Sequence, residues 1–318
     1  MATVTLTSSI TRSTKSVARF AWLTLGFFLL VVLWGAVVRA TGSGGGCGAN
    51  WPLCNGDFFP HHPRLATVIE FTHRSTSGIC TFLLIALGVF TFRTTPPGHR
   101  ARKAVLWAGL LLVTEALLGA MLVLRHWVEA NISTGRVIAQ SIHLTNTMLF
   151  MASLALTAWF LTPHFEPAAS QRAPRPLAIL TVIATLLVAA TGSLAALADT
   201  LFPSSSLAAA FAADFSPTSP TLIHMRWMHP AATLLSAACV LLLLRATTLQ
   251  HSLARIVAEF LALQFVLGIG DILLLAPIWM QVLHLLGADL YWIALVLFAS
   301  EIFWPSHLAT ASTVVPTP

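Results

Sequence analysis

The sequence predicts an all-α polytopic membrane protein with eight transmembrane helices, arranged as two four-helix bundles in parallel repeat. Three observations carry this. The chain of 318 residues is 57% hydrophobic and 9% charged, against about 25% charged residues in a soluble domain. Apolar runs of about 20 residues, enough to cross a bilayer core as a helix, recur along it. Motifs of the first half also return in the same order in the second. The net charge of +6 is spread over helix ends instead of gathering in one patch. Lipid is therefore the expected surrounding, and no nucleic-acid partner is expected.

The spans read, in order, as Phe20–Ala40, Ala66–Phe92, Ala104–Leu124, Val137–Leu161, Leu177–Leu197, Thr221–Leu244, Ile256–Leu275 and Pro277–Phe303. The first is too long for a signal peptide and lacks a convincing small-residue cleavage site. Residues 1–19, basic and rich in Ser and Thr, read as a cytoplasmic tail, although they weakly resemble a transit peptide. Residues 20–165 then form the first half, with a Cys-containing loop at about 41–65, and 166–176 a linker. The second half is 177–304, and 305–318 a C-terminal tail.

Orientation follows from the basic residues, which favour the cytoplasmic side. Arg12, Lys15 and Arg19 precede the first span. Arg93, Arg100, Arg102 and Lys103 follow the second, Arg172 and Arg175 the fourth, and Arg245 and Arg255 flank the sixth-to-seventh connection. Both termini are therefore expected in the cytoplasm. The loop GSGGGCGANWPLCNG (Gly42–Gly56) is expected on the outer side, where disulfides persist.

The repeat places a histidine at each matching position. AQSIHLTNTMLFMASL (Ala139–Leu154) in the fourth span corresponds to MQVLHLLGADLYWIAL (Met280–Leu295) in the eighth, matching Gln140 to Gln281 and His143 to His284. EFTHR (Glu70–Arg74) in the second span corresponds to RWMHP (Arg226–Pro230) in the sixth, matching His73 to His229. Leu118-Gly119 and Leu267-Gly268 pair the third span with the seventh. Every even span enters from the outer side. The four histidines therefore share a depth of roughly 10–12 Å, about seven or eight residues at the helical rise. Two imidazoles at one depth on two helices suit a flat metal macrocycle held edge-on, since haem iron takes neutral imidazole nitrogen as axial ligand. A lone buried histidine would instead read as a helix–helix hydrogen bond. A protein-only metal site would want further ligands, and only Glu70 lies near one.

The remaining histidines, His61, His62, His99, His126, His164, His251 and His307, fall in loops or at span ends, and His224 lies nearer the outer boundary than His229. Cys80 and Cys239 are expected to act as small apolar side chains. Glu70, three residues before His73, is an intramembrane carboxylate and a candidate for proton transfer or for stabilising developing positive charge, or else an ion-pair partner of Arg74. Its counterpart is Arg226. Arg39, Arg74 and Arg226 are candidate partners for carboxylate groups of a macrocycle. Glu115 is expected to make a helix–helix hydrogen bond.

Taken together, the eight spans, the repeat, Cys-x6-Cys with NWPLCNG, EFTHR, QSIH and QVLH resemble the heme A synthase family, membrane enzymes that oxidise a methyl group of heme O to the formyl group of heme A. The resemblance covers almost the whole chain. It implies two successive two-electron oxidations, with heme O bound by His73 and His143 in the first half and a resident heme b on His229 and His284 in the second. It further implies Glu70 as the catalytic carboxylate and Cys47 and Cys54 as a loop disulfide with a redox or stapling role. The implied setting is a bacterial inner membrane. The implied partners are heme O, an electron acceptor the sequence does not identify, and the protoheme farnesyltransferase that makes heme O. Homo-oligomerisation is left open. Three other readings stand beside it: a di-heme conduit or carrier, a membrane thiol–disulfide oxidoreductase, and an external zinc site on Cys47, Cys54, His61 and His62.

Overall fold

A computed structural model describes residues 2–162, 174–247 and 252–304. The linker, the C-terminal tail, Arg172, His164, His251 and His307 lie wholly or partly outside these residues. The helices are α1 (Ala2–Ala40), α2 (Leu65–Thr94), α3 (Arg100–Leu124), α4 (Thr134–Leu161), α5 (Arg175–Leu201), α6 (Leu207–Phe215), α7 (Thr221–His224), α8 (Met228–Ala246), α9 (Ser252–Leu273) and α10 (Ile278–Phe303). Among the described residues, eight stretches are long and apolar enough to span a membrane, with α7 and α8 together making the sixth. The protein is all-α and multi-pass, as its apolar runs predict.

Two features depart from the expected spans. The sixth is broken between His224 and Met228. Pro230 explains this, because it offers no N–H to the carbonyl of Arg226 and its ring crowds that carbonyl. The connection after the fifth span also carries a helix of its own, α6, capped by the Ser206 hydroxyl accepting from the Ala209 amide at 3.2 Å. α2 stops where Pro96 and Pro97 cannot continue it.

α4 and α10 form the middle of the molecule, with more than half of the residues along their most apolar stretches buried, whereas α9 is almost wholly unburied there and lies at the rim. Phe28 of α1 packs on Phe150 of α4 with ring centres 4.6 Å apart. Trp292 of α10, fully buried, donates its indole N–H to the Met148 carbonyl of α4 at 2.7 Å. Leu154, Leu295 and Phe298 complete this core. Facing outward are Phe82, Leu106, Leu234 and Val266, all exposed, as expected for side chains that meet lipid tails. Hydroxyl and indole donors tie helices together, as in Thr185 to Ser236 at 3.0 Å (α5 to α8) and Trp22 to Thr162 at 3.0 Å (α1 to the end of α4).

α1 packs on α2, α3 on α4, α5 on α8 and α9 on α10, while α8 and α9 stand apart. The gap between them is a groove of about 460 Å³ lined by Leu234, Ala237 and Leu241 on one side and Ala258, Leu261 and Phe265 on the other. No histidine lines it.

Candidate functional site

The four histidines sit on α2, α4, α8 and α10, each against a neighbouring helix. His229 and His284 face one another, with ring centres 6.3 Å apart and planes at 81°. The His229 Nδ1 lies 3.2 Å from the carbonyl of Val188. A carbonyl only accepts, so Nδ1 carries the proton and Nε2 keeps its lone pair for a metal. Two imidazoles that share one metal atom, with bonds of about 2.0–2.1 Å to each ring, would have centres on the order of 6 Å apart. The observed pair fits that spacing.

Glycines let the rings come this close to the helices. A Cβ at Gly192 of α5 would lie 3.0 Å from His229 Cε1, and one at Gly35 of α1 would lie 3.0 Å from His73 Cε1. Any larger side chain would have to push the ring away. Gly192→Val is therefore expected to displace the His229 ring and to weaken any metal binding there several-fold while leaving His73 in place. Gly35→Val should do the converse, and absorption spectra of the two purified variants would separate the effects.

In the first half, neither the His73 Nδ1 nor the His143 Nδ1 has a hydrogen-bond partner. The His143 Nδ1 is 3.4 Å from Glu115 Oε1, within ion-pair range but not aligned as a hydrogen bond. Glu115 also accepts from Asn146 Nδ2 at 2.6 Å and from the Thr147 hydroxyl. The expected helix–helix hydrogen bond is thus present, from α3 to α4, and it reaches the back of His143. Among the described residues no group of three or more His, Cys, Asp or Glu side chains converges as a metal-ion cage would require. Paired imidazoles suit a metal whose remaining ligands come from a macrocycle.

The N-terminal end of α2 holds the cysteine loop. Cys47 and Cys54 are joined in a disulfide, which leaves no thiolate for the external zinc site; His61 and His62 are exposed. Glu70, 3% exposed, accepts the Cys47 amide at 2.7 Å through Oε2 and pairs with Arg74 at 2.5 Å through Oε1. Arg74 also donates to the carbonyls of Asn50 at 2.6 Å and Leu53 at 2.7 Å. The ion pair that the spacing of Glu70 and Arg74 suggests is therefore present, and the loop's tie to both comes in addition.

At the matching end of α8, Arg226 pairs with Asp199 at 3.0 Å and Asp214 at 2.6 Å. His224 donates from Nδ1 to the Asp214 carbonyl at 2.8 Å, an interface role. Arg74 and Arg226 are thus engaged by carboxylates of the chain itself. Arg39 makes no carboxylate ion pair among the described residues. It reaches from α1 to the Ala196 carbonyl at 2.7 Å, the Thr200 hydroxyl at 2.6 Å and Gln281 Oε1 at 2.8 Å. The partners of Arg226 lie 12 and 27 positions away, and nothing in a local motif signals them. Cys80 and Cys239 are free and buried, as expected of small apolar side chains.

The family described as cytochrome oxidase assembly protein, COX15-CtaA, matches residues 18–296. The chain belongs to the COX15-CtaA family. Among curated proteins similar to this COX15-CtaA chain is a protoheme IX farnesyltransferase of Thermus thermophilus, 39% identical over 291 residues, which cover 89% of this chain and 48% of that protein. A heme A synthase of Bacillus pumilus is 36% identical over 131 residues, 41% of this chain and 40% of its own. A heme A synthase of Alkalihalophilus pseudofirmus is 40% identical over 92 residues, 29% of this chain and 31% of its own. The chain spans about half the length, or less, of these relatives.

Proposed function

We propose that the chain is a heme A synthase, oxidising a methyl group of heme O to a formyl group in two successive two-electron steps. The observation that carries this reading is the His229–His284 pair at metal-bridging spacing beside a second histidine pair that stands next to a buried carboxylate and a disulfide loop. Family membership and the heme A synthase relatives support it. The two-half reading is supported by matching contacts, since Gly35 meets His73 as Gly192 meets His229.

His229 and His284 would hold heme b, which when bound supplies a one-electron relay out of the substrate half. The Val188 carbonyl fixes the His229 tautomer that ligation needs. Arg39, lying between α1, α5 and α10 and without a carboxylate partner among the described residues, is the arginine best placed to meet a propionate. In the first half, His73 and His143 would grip heme O as substrate, with Glu115 backing His143. Glu70 would supply negative charge near the reacting methyl, where positive charge develops as electrons leave. Helices α1 to α4 exclude water from this region and leave the loop as its outer cap. The setting is a bacterial inner membrane with both termini cytoplasmic and the loop outside. The farnesyltransferase that makes heme O would act just upstream, and its activity in a relative containing a similar region supports a working association.

A second reading is a heme carrier or electron conduit. The anchoring of Glu70 by Arg74 and the Cys47 amide favours it, because a carboxylate so engaged serves structure. Anaerobic solvent extraction of the protein purified from cells that make heme O separates the two. Heme b together with heme O, hydroxylated heme or heme A is expected for the synthase; heme b alone would establish the conduit.

A further inference from the structure

The Cys47–Cys54 disulfide is shut away: Cys47 is 0% and Cys54 2% exposed. Thiol–disulfide exchange requires a thiolate to reach a sulfur in line with the bond, so burial of both sulfurs hinders attack by external thiols. Local backbone bonds shape the ring, with the Asn55 amide donating to the Cys47 carbonyl at 2.9 Å and Cys54 and Asp57 exchanging amide bonds at 3.0 Å. The Thr67 hydroxyl donates to the Gly46 carbonyl at 2.8 Å. A Cβ at Gly46 would collide with the backbone of Ala66 and Thr67, so the loop lies directly on the start of α2.

The charged ties come from one place. Three groups of the Cys47–Cys54 ring, the amide of Cys47 and the carbonyls of Asn50 and Leu53, are held by the Glu70–Arg74 pair. The pair is itself mostly buried, with side-chain exposures of 4% and 12%. Hydrogen bonds to charged groups in such surroundings are stronger than neutral ones. Two thiols need more room than one bonded pair, so reduction must expand the ring and pull against these ties.

We propose that Arg74 is a positioning residue which, with Glu70, clamps the Cys47–Cys54 ring closed and so sets how readily that disulfide exchanges with an external dithiol. In that exchange a thiolate of the dithiol attacks one cysteine sulfur and forms a mixed disulfide. Its second thiol then displaces the remaining cysteine. Two electrons pass to the loop, both cysteine sulfurs end protonated, and the dithiol leaves as its own cyclic disulfide. The proposal concerns only the loop and its clamp. It stands whether or not the first half oxidises heme O, and its test uses no heme chemistry.

The test is a redox titration of the purified full-length protein in detergent against dithiothreitol buffers. Free Cys47 and Cys54 are then alkylated and counted by peptide mass, which separates them from Cys80 and Cys239. Arg74→Gln is expected to raise the equilibrium constant for reduction by about tenfold, a shift of about 30 mV toward easier reduction, and to speed reduction. Glu70→Gln should move the same way. Arg226→Gln, which breaks the ion pairs at the N-terminal end of α8, should titrate as wild type. A wild-type potential for folded Arg74→Gln would overturn the proposal, as would an equal shift for Arg226→Gln. If Arg74→Gln does not fold, Arg74→Lys reads the same quantity, because an ammonium lacks the planar fork that spreads Nη1 to the two carbonyls and Nη2 and Nε to Glu70. A raised reduction constant there supports the clamp, and an unchanged one refutes it.

Discussion

Glu70→Gln is expected to cut heme A formation by about 100-fold or more while the resident heme remains bound. Glutamine keeps an oxygen to accept the Cys47 amide, now 2.7 Å from Glu70 Oε2, and fills the same volume. What it removes is the negative charge, which the synthase reading needs at the reacting methyl. Product measured per resident heme reports the chemistry separately from yield. Because Glu70 also anchors Arg74, Arg74→Gln is the necessary companion. If loss of the loop tie alone explained the effect, both variants would lose product equally. If the charge acts in catalysis, Glu70→Gln should be the more damaging. Activity near wild type in Glu70→Gln would leave Glu70 as a loop anchor only.

His73→Ala and His143→Ala are each expected to abolish product. Both remove an imidazole that would grip heme O, and a misplaced substrate loses most of the benefit of orientation. Neither substitution touches the His229–His284 pair, so resident heme b should stay. His143→Ala should also leave Glu115 with its Asn146 and Thr147 donors, so α3 and α4 remain joined. The measurement is heme A in membranes of cells supplied with heme O. Substantial product from either variant would remove that histidine from the substrate site.

The spans were legible because hydrocarbon imposes a length and a composition on any helix that crosses it. The break at Met225–Trp227 was signalled by Pro230, which a reading by apolar length passes over. α6 escaped because nine residues of mostly Ala with Phe211 and Phe215 resemble a loop more than a helix with a partner. His229 and His284 were legible as a pair because the repeat marks them, and the structure brings their rings together. The Glu70–Arg74 contact is local, four residues along one helix face, and so could be read from spacing. The Cys47 amide on Glu70 and the carboxylates on Arg226 could not, because they join residues that only the folded chain makes neighbours. For the same reason Gly35 and Gly192 gave no signal until the rings they face were placed.

The division of labour between the two histidine pairs is the centre of this account, and heme b per protein tests it most directly. Pyridine spectra of four purified single variants, His73→Ala, His143→Ala, His229→Ala and His284→Ala, supply the comparison. The account predicts near-stoichiometric heme b in the first two and almost none in the last two. Equal heme b in all four, or its loss from the His73 and His143 variants instead, would contradict it.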